Sequence, residues 1–334
     1  MKHKNKVFTF ICIIFLLITV LLALMIGSYQ MTPNEVLQTF LGNGSKLQNF
    51  TIFQIRLPRT VLAIIVATAL GISGSVLQGI TRNPLAEPGM IGINAGAALG
   101  VVLWISSGTS AYYSALPIST VIFLPLIAMV GSLVSVTFIY FFAYKKGISP
   151  VRFILTGVGV NAGISAIISF YQLNMSKGDY NQVLTWTNGS LWGSNWNYIL
   201  LTAPIIFGLA ILILIRSRVL DVLSLGDELA TGLGVQVQKE ILFFLITASF
   251  LAAIATSVAG NIAFIGLLGP KLAEKVLGGN YRTRLPFAAG ISAIILVLAD
   301  TVSRNLFAPI EIPVGIIVSI LGVPYFIYLM IKEK

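Results

Sequence analysis

The chain has 334 residues, of which 57% are hydrophobic and 10% charged, and its mean hydropathy is +0.94. That is far more apolar surface than one water-soluble core can hide, so the solvent for most of it must be lipid. The formal charge of +10 raises nucleic acid as a partner, but the basic residues lie in short clusters between apolar runs and no soluble domain gathers them on one face, which excludes a nucleic-acid reader.

Apolar runs of about 20 residues, enough to cross roughly 30 Å of hydrocarbon, recur from end to end. Stretches such as VFTFICIIFLLITVLLALMIG are apolar on every side and lack the alternation of barrel strands, so the spans are helices and the fold class is all-α. The first run, 7–28, follows MKHKNK in the manner of a signal peptide, yet it exceeds the usual hydrophobic region and no A-x-A site follows; a retained first helix is expected. Cys12, the one cysteine, falls inside this run and is read as packing filler, since a single cysteine builds neither a disulfide nor a C-x-x-C site. A long connection from Ser28 to Pro58 leads to the second run, 59–81, in which Gly71, Ser73, Gly74 and Ser75 form a small-residue surface.

The segment RNPLAEPGMIGINAG, Arg82 to Gly96, must break the chain: Pro84 and Pro88 donate no backbone hydrogen bond and Gly89 permits a turn. With Asn83 and Glu87 it forms a shaped corner at the inner end of two spans, and Glu87 is expected to pair with Arg82 or to cap the next helix. That helix, 92–107, carries Gly92, Gly96 and Gly100 as G-x-x-x-G-x-x-x-G, read as helix packing, with a pathway or dimer wall as the alternative. Runs at 118–143 and 150–173 follow. The latter contains TGVGVNAG, whose likeness to a dinucleotide fingerprint fails because no strand precedes it. Further runs at 194–216, 239–259, 262–278, 285–303 and 313–331 complete ten predicted helices, with a connection at 217–238 between the sixth and seventh.

With the N-terminus inside, only Lys46, Arg56, Arg59, Lys177 and Arg304 of the 21 Lys and Arg fall outside, leaving 21 − 5 = 16 inside. Basic residues concentrate on the cytoplasmic side, and ten crossings place both termini there. Helices two to five then begin outside and helices seven to ten inside, the arrangement of two inverted halves around the sixth, although no clear repeat is visible in the sequence.

Several chemistries are missing. No G-x-x-x-x-G-K-[ST] loop exists, so any ATP must be hydrolysed by a partner. The lone histidine, His3, lies in the N-terminal tail, which removes H-E-x-x-H, Ser/His/Asp and histidine-ligated metal sites; no catalytic residue, metal or cofactor is expected. Ionisable residues avoid mid-membrane positions, which argues against proton coupling, and Asp300, Glu274 and Glu311 sit towards helix ends. Polar residues within spans, Ser73, Gln78, Asn161, Ser165 and Ser169, either line a pathway or bond neighbouring helices, with packing the favoured role.

The stretch RLPRTVLAIIVATALGISGSVLQGITRNPLAEPGMIGINAGAALG resembles the hallmark segment of the FecCD family of permeases. Further resemblance lies in WTNGSLWGSNW (186–196), LSLGDELATGLGV (223–235), GNIAFIGLLGP (260–270) and LADTVSRNLFAPIEIPVGIIVSILGVPYFIYLM (298–330), in family order from about residue 50 to the C-terminus. The resemblance implies the ten-helix fold of type II ATP-binding-cassette importers, with residues 1–334 as one permease domain in the cell membrane. It further implies a second permease of the same or homologous sequence, ATPase subunits and an external substrate-binding protein, moving ferric siderophores, haem or cobalamin, with ferric siderophore the first choice. One departure is Lys271, Glu274 and Lys275 after GLLGP, where the family usually carries histidine and then a basic pair.

The same resemblance makes 217–238 the segment that docks on the ATPase. Gly226 suits a sharp entry, Asp227 and Glu228 the positive end of a short helix, Ala230 a flat surface, and Gly232 with Gly234 a second turn. Arg56, Arg59 and Arg304 match positions that dock the binding protein; the alternative is anchoring to lipid, or local pairing of Arg304 with Asp300 one turn earlier. The rival classes are an ion-driven secondary transporter, which needs buried acids or an ion site, and an intramembrane enzyme, which needs a nucleophile and base. In a Cys12→Ser background, a cysteine at Ser224 is expected to label only from the cytoplasm and one at Ser45 only from outside; labelling of both from one side would show that a crossing has been miscounted.

Overall fold

Lipid offers no partner for a backbone N–H or C=O, so a chain this apolar must satisfy its hydrogen bonds within helices. The computed structural model describes residues 2–107, 118–145, 147, 149–278, 280–308 and 310–332, and every regular element among them is helical. Lys146 and Lys334, assigned to the inner side by the charge count, lie outside the described residues.

In chain order the helices are α1 (Lys2–Met25), α2 (Pro33–Phe40), α3 (Lys46–Phe50), α4 (Leu57–Thr81), α5 (Ile93–Ser106), α6 (Ile118–Ala143), α7 (Pro150–Gln172), α8 (Lys177–Thr187) and α9 (Trp196–Ile215). They continue with α10 (Ser217–Leu223), α11 (Asp227–Gly232), α12 (Val237–Ala259), α13 (Ile265–Leu277), α14 (Tyr281–Asn305) and α15 (Val314–Lys332). Eight helices are long and apolar enough to cross a membrane, and the shorter α5 and α13, of 14 and 13 residues, bring the set to 8 + 2 = 10 among the described residues. Each overlaps one of the ten predicted runs.

The connections are built rather than loose. In the first, α2 and α3 each start on a capping box, Thr32 with Glu35 and Ser45 with Gln48, and a π-helical turn, Thr51–Arg56, runs straight into α4. The connection between α9 and α12 folds into the two short helices α10 and α11.

The packing centre is α4 with α12. In their spans 83% and 78% of the residues are buried, against 11% for α7, so α7 is a wall that the chain itself leaves largely bare. Small residues explain how close α4 gets to its surroundings. A Cβ on Gly74 would stand 1.8 Å from the Gly266 carbonyl oxygen of α13, and one on Gly71 would meet Ser292 Oγ of α14 at 2.4 Å. Gly96 of α5 abuts Gly131 of α6 in the same way. The small-residue motifs therefore pack helices within the chain. Ser73 donates to the Ala248 carbonyl at 2.7 Å and is likewise a packing residue.

The two short helices occupy matching places: α5 is second in the set α4–α7, and α13 is second in the set α12–α15. Each begins after a left-handed residue, Gly92 (φ 74) before α5 and Phe264 (φ 64) before α13. At 1.5 Å per residue they reach only about 20 Å, short of a full crossing. Replacing Gly74 by Val is expected to destabilise the subunit by about 1–3 kcal/mol, because the backbone of α13 cannot yield. A thermal melt in detergent checks this against Gly159→Ala, where nothing lies within 4 Å.

Candidate functional site

Charged side chains collect at the two ends of α4, whose 25 residues span about 37 Å. At its first turn, Arg59 Nε lies 2.9 Å from Asp300 Oδ1 and its Nη1 2.8 Å from Glu311 Oε2. Arg304 Nε lies 3.3 Å from Asp300 Oδ2, and its Nη2 donates to the Ala23 carbonyl at 3.1 Å. Arg56, buried, donates to the carbonyls of Leu24 and Met25 at the end of α1 and of Tyr29 in the connection beyond it. The structure thus brings Arg56, Arg59 and Arg304 together as an internal clamp, their charges taken up by partners within the chain. Apolar surroundings make an unpaired guanidinium costly, so each takes a partner within the chain. The local pairing of Arg304 with Asp300 is the alternative that holds.

At the other end the corner divides in two. Arg82, Asn83, Pro84 and Leu85 form its outer part; the Asn83 side chain accepts from Leu85 N–H at 2.9 Å, closing the turn around Pro84. Glu87 and Pro88 turn inward and are buried. Gly89 has an ordinary φ, and the left-handed turn residue is Gly92 instead. Arg82 ends α4 in the left-handed conformation, φ 49. Its side chain donates to the Leu223 carbonyl at 3.1 Å and pairs with Asp227. Glu87 therefore neither pairs with Arg82 nor caps α5; its Oε2 accepts the N–H of Phe264 at 2.9 Å.

In the segment 217–238, Gly226 (φ 116) and Gly234 (φ 82) bracket α11, while Gly232 is its last helical residue with an ordinary φ. Asp227 and Glu228 occupy the first turn of α11. Ala230 is buried, so it seats α11 on the body and does not flatten an outer surface. The exposed face is carried by Leu225, Leu229 and Leu233, four residues apart, which the attention to glycine and acid in the sequence passed over. Nearby, Glu274 bridges Lys271 at 3.1 Å and Arg284 at 3.3 Å, so the altered charges after GLLGP compensate one another.

Between the two ends lies a cleft of about 460 Å³ walled by α5, α7 and the link from α12 to α13. Asn94, Asn161, Ser165, Ser169 and Asn261 line it, and Glu87 is its one ionisable lining residue among those described. Asn161, Ser165 and Ser169 repeat every four residues and so share one face of α7. Asn94 ties the opposite wall together: it donates to Asn261 and accepts from Thr256 Oγ1 at 2.9 Å. The span polar residues thus separate into two sets, Ser73 and Gln78 in packing and the α7 trio on the cleft. Asn94, Thr256 and Asn261 escaped the sequence analysis because Asn94 lies more than 160 residues from each of its two partners, beyond any periodicity.

This is the architecture of a multi-pass membrane permease: a helical body around a polar cleft, with a structured surface segment at one end. The family model described as the FecCD transport family matches residues 15–332, and the chain belongs to that family. It is 42% identical to the iron(3+)-hydroxamate import system permease protein FhuG of Bacillus subtilis, over the full length of both chains. It is 37% identical to the iron-uptake system permease protein FeuC of the same organism, covering 92% of each. Among solved structures, an inward-facing metal-chelate type ABC transporter matches with a TM-score of 0.85 at 30% identity, covering 97% of this chain and 98% of the other.

The Arg59–Asp300–Arg304 clamp gives a direct test. Replacing Asp300 by Ala leaves two buried guanidinium groups short of a counter-charge and is expected to cost about 3–5 kcal/mol, lowering the melting temperature and the yield of folded subunit. An unaltered melt would show that the clamp contributes nothing to the fold.

Proposed function

We propose that this chain is the membrane-spanning subunit of an ATP-driven importer that moves a ferric siderophore of the uncharged hydroxamate class into the cytoplasm. The observation that carries the cargo assignment is the cleft. Its walls offer amide and hydroxyl groups with no lysine or arginine among the described lining residues, which suits a neutral, hydrogen-bonding chelate better than a polyanionic one. The full-length similarity to an iron(3+)-hydroxamate permease supports the same class.

The whole chain, 1–334, acts as one permease domain in the cell membrane, with both termini cytoplasmic. ATP is hydrolysed by partner ATPase subunits, since the sequence carries no phosphate-binding loop. The segment 217–238 docks on them through Leu225, Leu229 and Leu233, held in shape by Gly226, Gly234 and the buried Ala230, with Asp227 and Glu228 at the start of α11. The bare face of α7 is where a second permease, identical or homologous, closes the cleft into a pathway. An external binding protein delivers the chelate at the opposite end, where Arg56, Arg59 and Arg304 shape the docking surface from within, their charges being already committed.

The test is uptake by the permease reconstituted in vesicles with its ATPase and binding protein. A ferric trihydroxamate is expected to be imported in preference to a ferric tris-catecholate or haem, and only with ATP. Preference for catecholate or haem overturns the cargo class, and uptake driven by an ion gradient without ATPase overturns the transporter class. In the same system Gly234→Val, strained by roughly 1–3 kcal/mol, is expected to lower the ATPase recovered with the permease.

A further inference from the structure

Among the described residues, two that are not glycine hold a left-handed backbone, Arg82 and Phe264. Such a conformation is costly for a side chain with a Cβ and persists only where surrounding contacts enforce it. Both are tied to the same short stretch of chain. Arg82, at its start, reaches across to the Leu223 carbonyl and the Asp227 carboxylate, one at the end of α10 and the other at the beginning of α11. Glu87, five residues on and buried, accepts the N–H of Phe264 where α13 begins.

The chain between them has little slack. Thr81 and Asn83 side chains close turns on Asn83 N–H and Leu85 N–H, the Asn83 carbonyl accepts from Ala86 N–H at 3.1 Å, and Pro84 and Pro88 fix two φ angles. Beyond Glu87 the stretch enters the cleft wall directly, because Glu87, Gly89, Asn94 and Asn261 all line that cleft. The ring of Phe264 in turn fills the space over Gly322 of α15, where an added Cβ would stand 2.4 Å from it.

We infer that Arg82–Glu87 is a stiff strap that carries displacement of the α10–α11 segment to the start of α13 and the cleft wall, with Arg82 and Glu87 as positioning residues for transport. The inference rests on the reading of α10–α11 as the ATPase-docking segment. Arg82 grips the moving part, Glu87 grips the responding part, and the rigid turn between them makes the two move as one. The role of Glu87 is that of a hydrogen-bond acceptor, so its charge is dispensable.

The experiment uses the complete importer in vesicles, with binding protein and a ferric trihydroxamate, and reads chelate imported per ATP hydrolysed. Arg82→Ala and Glu87→Ala are each expected to lower this ratio by at least about fivefold, the lower end of coupling between distant sites, while the assembled complex continues to hydrolyse ATP. Because both sit in one linkage, the double variant is expected to be no worse than the more severe single one. Glu87→Gln, whose amide carbonyl still accepts from Phe264 N–H, is expected to keep the ratio. Unaltered ratios in the alanine variants, effects that multiply in the double variant, or a glutamine variant as impaired as the alanine one would each overturn the strap. For an alanine variant that fails to assemble, Arg82→Met, which keeps the length of the side chain but neither contact, is read in its place, and an unaltered ratio there also overturns it. Wild-type complex that shows no ATP-dependent uptake would instead sink the underlying importer assignment, so the two failures are told apart.

Discussion

A backbone hydrogen-bond donor or acceptor left unsatisfied in hydrocarbon costs several kcal/mol, and this chain nevertheless breaks before α5 and α13, helices of 14 and 13 residues that are too short for a full crossing. The breaks before α5 and α13 are tolerated because protein supplies what lipid cannot. Before α13, Glu87 accepts the N–H of Phe264 and Ser190 N–H reaches the Ala259 carbonyl at 2.9 Å; before α5, Ser135 Oγ donates to the Gly92 carbonyl at 2.9 Å. Once the interruptions are satisfied in this way, the rest of the arrangement follows. Short helices leave room for a cleft, and the polar groups that mend the breaks become its lining.

The same accounting governs the charges. Arg59, Asp300 and Arg304 lie buried at one end of α4, and each is held by an opposite charge or a carbonyl within the chain. Arg82 and Asp227 at the other end remain partly exposed, where water weakens their attraction and geometry matters more than energy. One end is therefore a clamp buried in the body, and the other is a surface junction that Arg82 holds by two contacts, to the Leu223 carbonyl and the Asp227 carboxylate.

Whatever depends on local period or composition was legible in the sequence. Ten apolar runs gave ten helices, the breaks around Pro84 and Pro88 were visible, and the glycines of α4 and α5 pointed to close packing. What depends on distant partners was not. The acceptor for Phe264 N–H is 177 residues away and the partner of Arg82 145 residues away, and neither separation carries a periodic signal. The arginines near the predicted outer surface were recognised as a group, but their burial was not, because Asp300 and Glu311 belong to another part of the chain. Ala230 and Leu229 illustrate the same limit at shorter range: on a six-residue helix, which side faces the body is settled only by what it packs against.

The bareness of α7 bears on how such a protein is made. This 23-residue helix is long and apolar enough to cross a membrane, yet it has little buried surface and carries Asn161, Ser165 and Ser169 along one face, polar groups that lipid cannot hydrogen-bond. A newly inserted subunit would present that face to the bilayer until a partner arrived, and in that interval it would be open to membrane proteases and to pairing with the wrong neighbour. On the reading of α7 as the seat of a second permease, synthesis in matched amounts and insertion close to that partner would protect the subunit as well as serve transport.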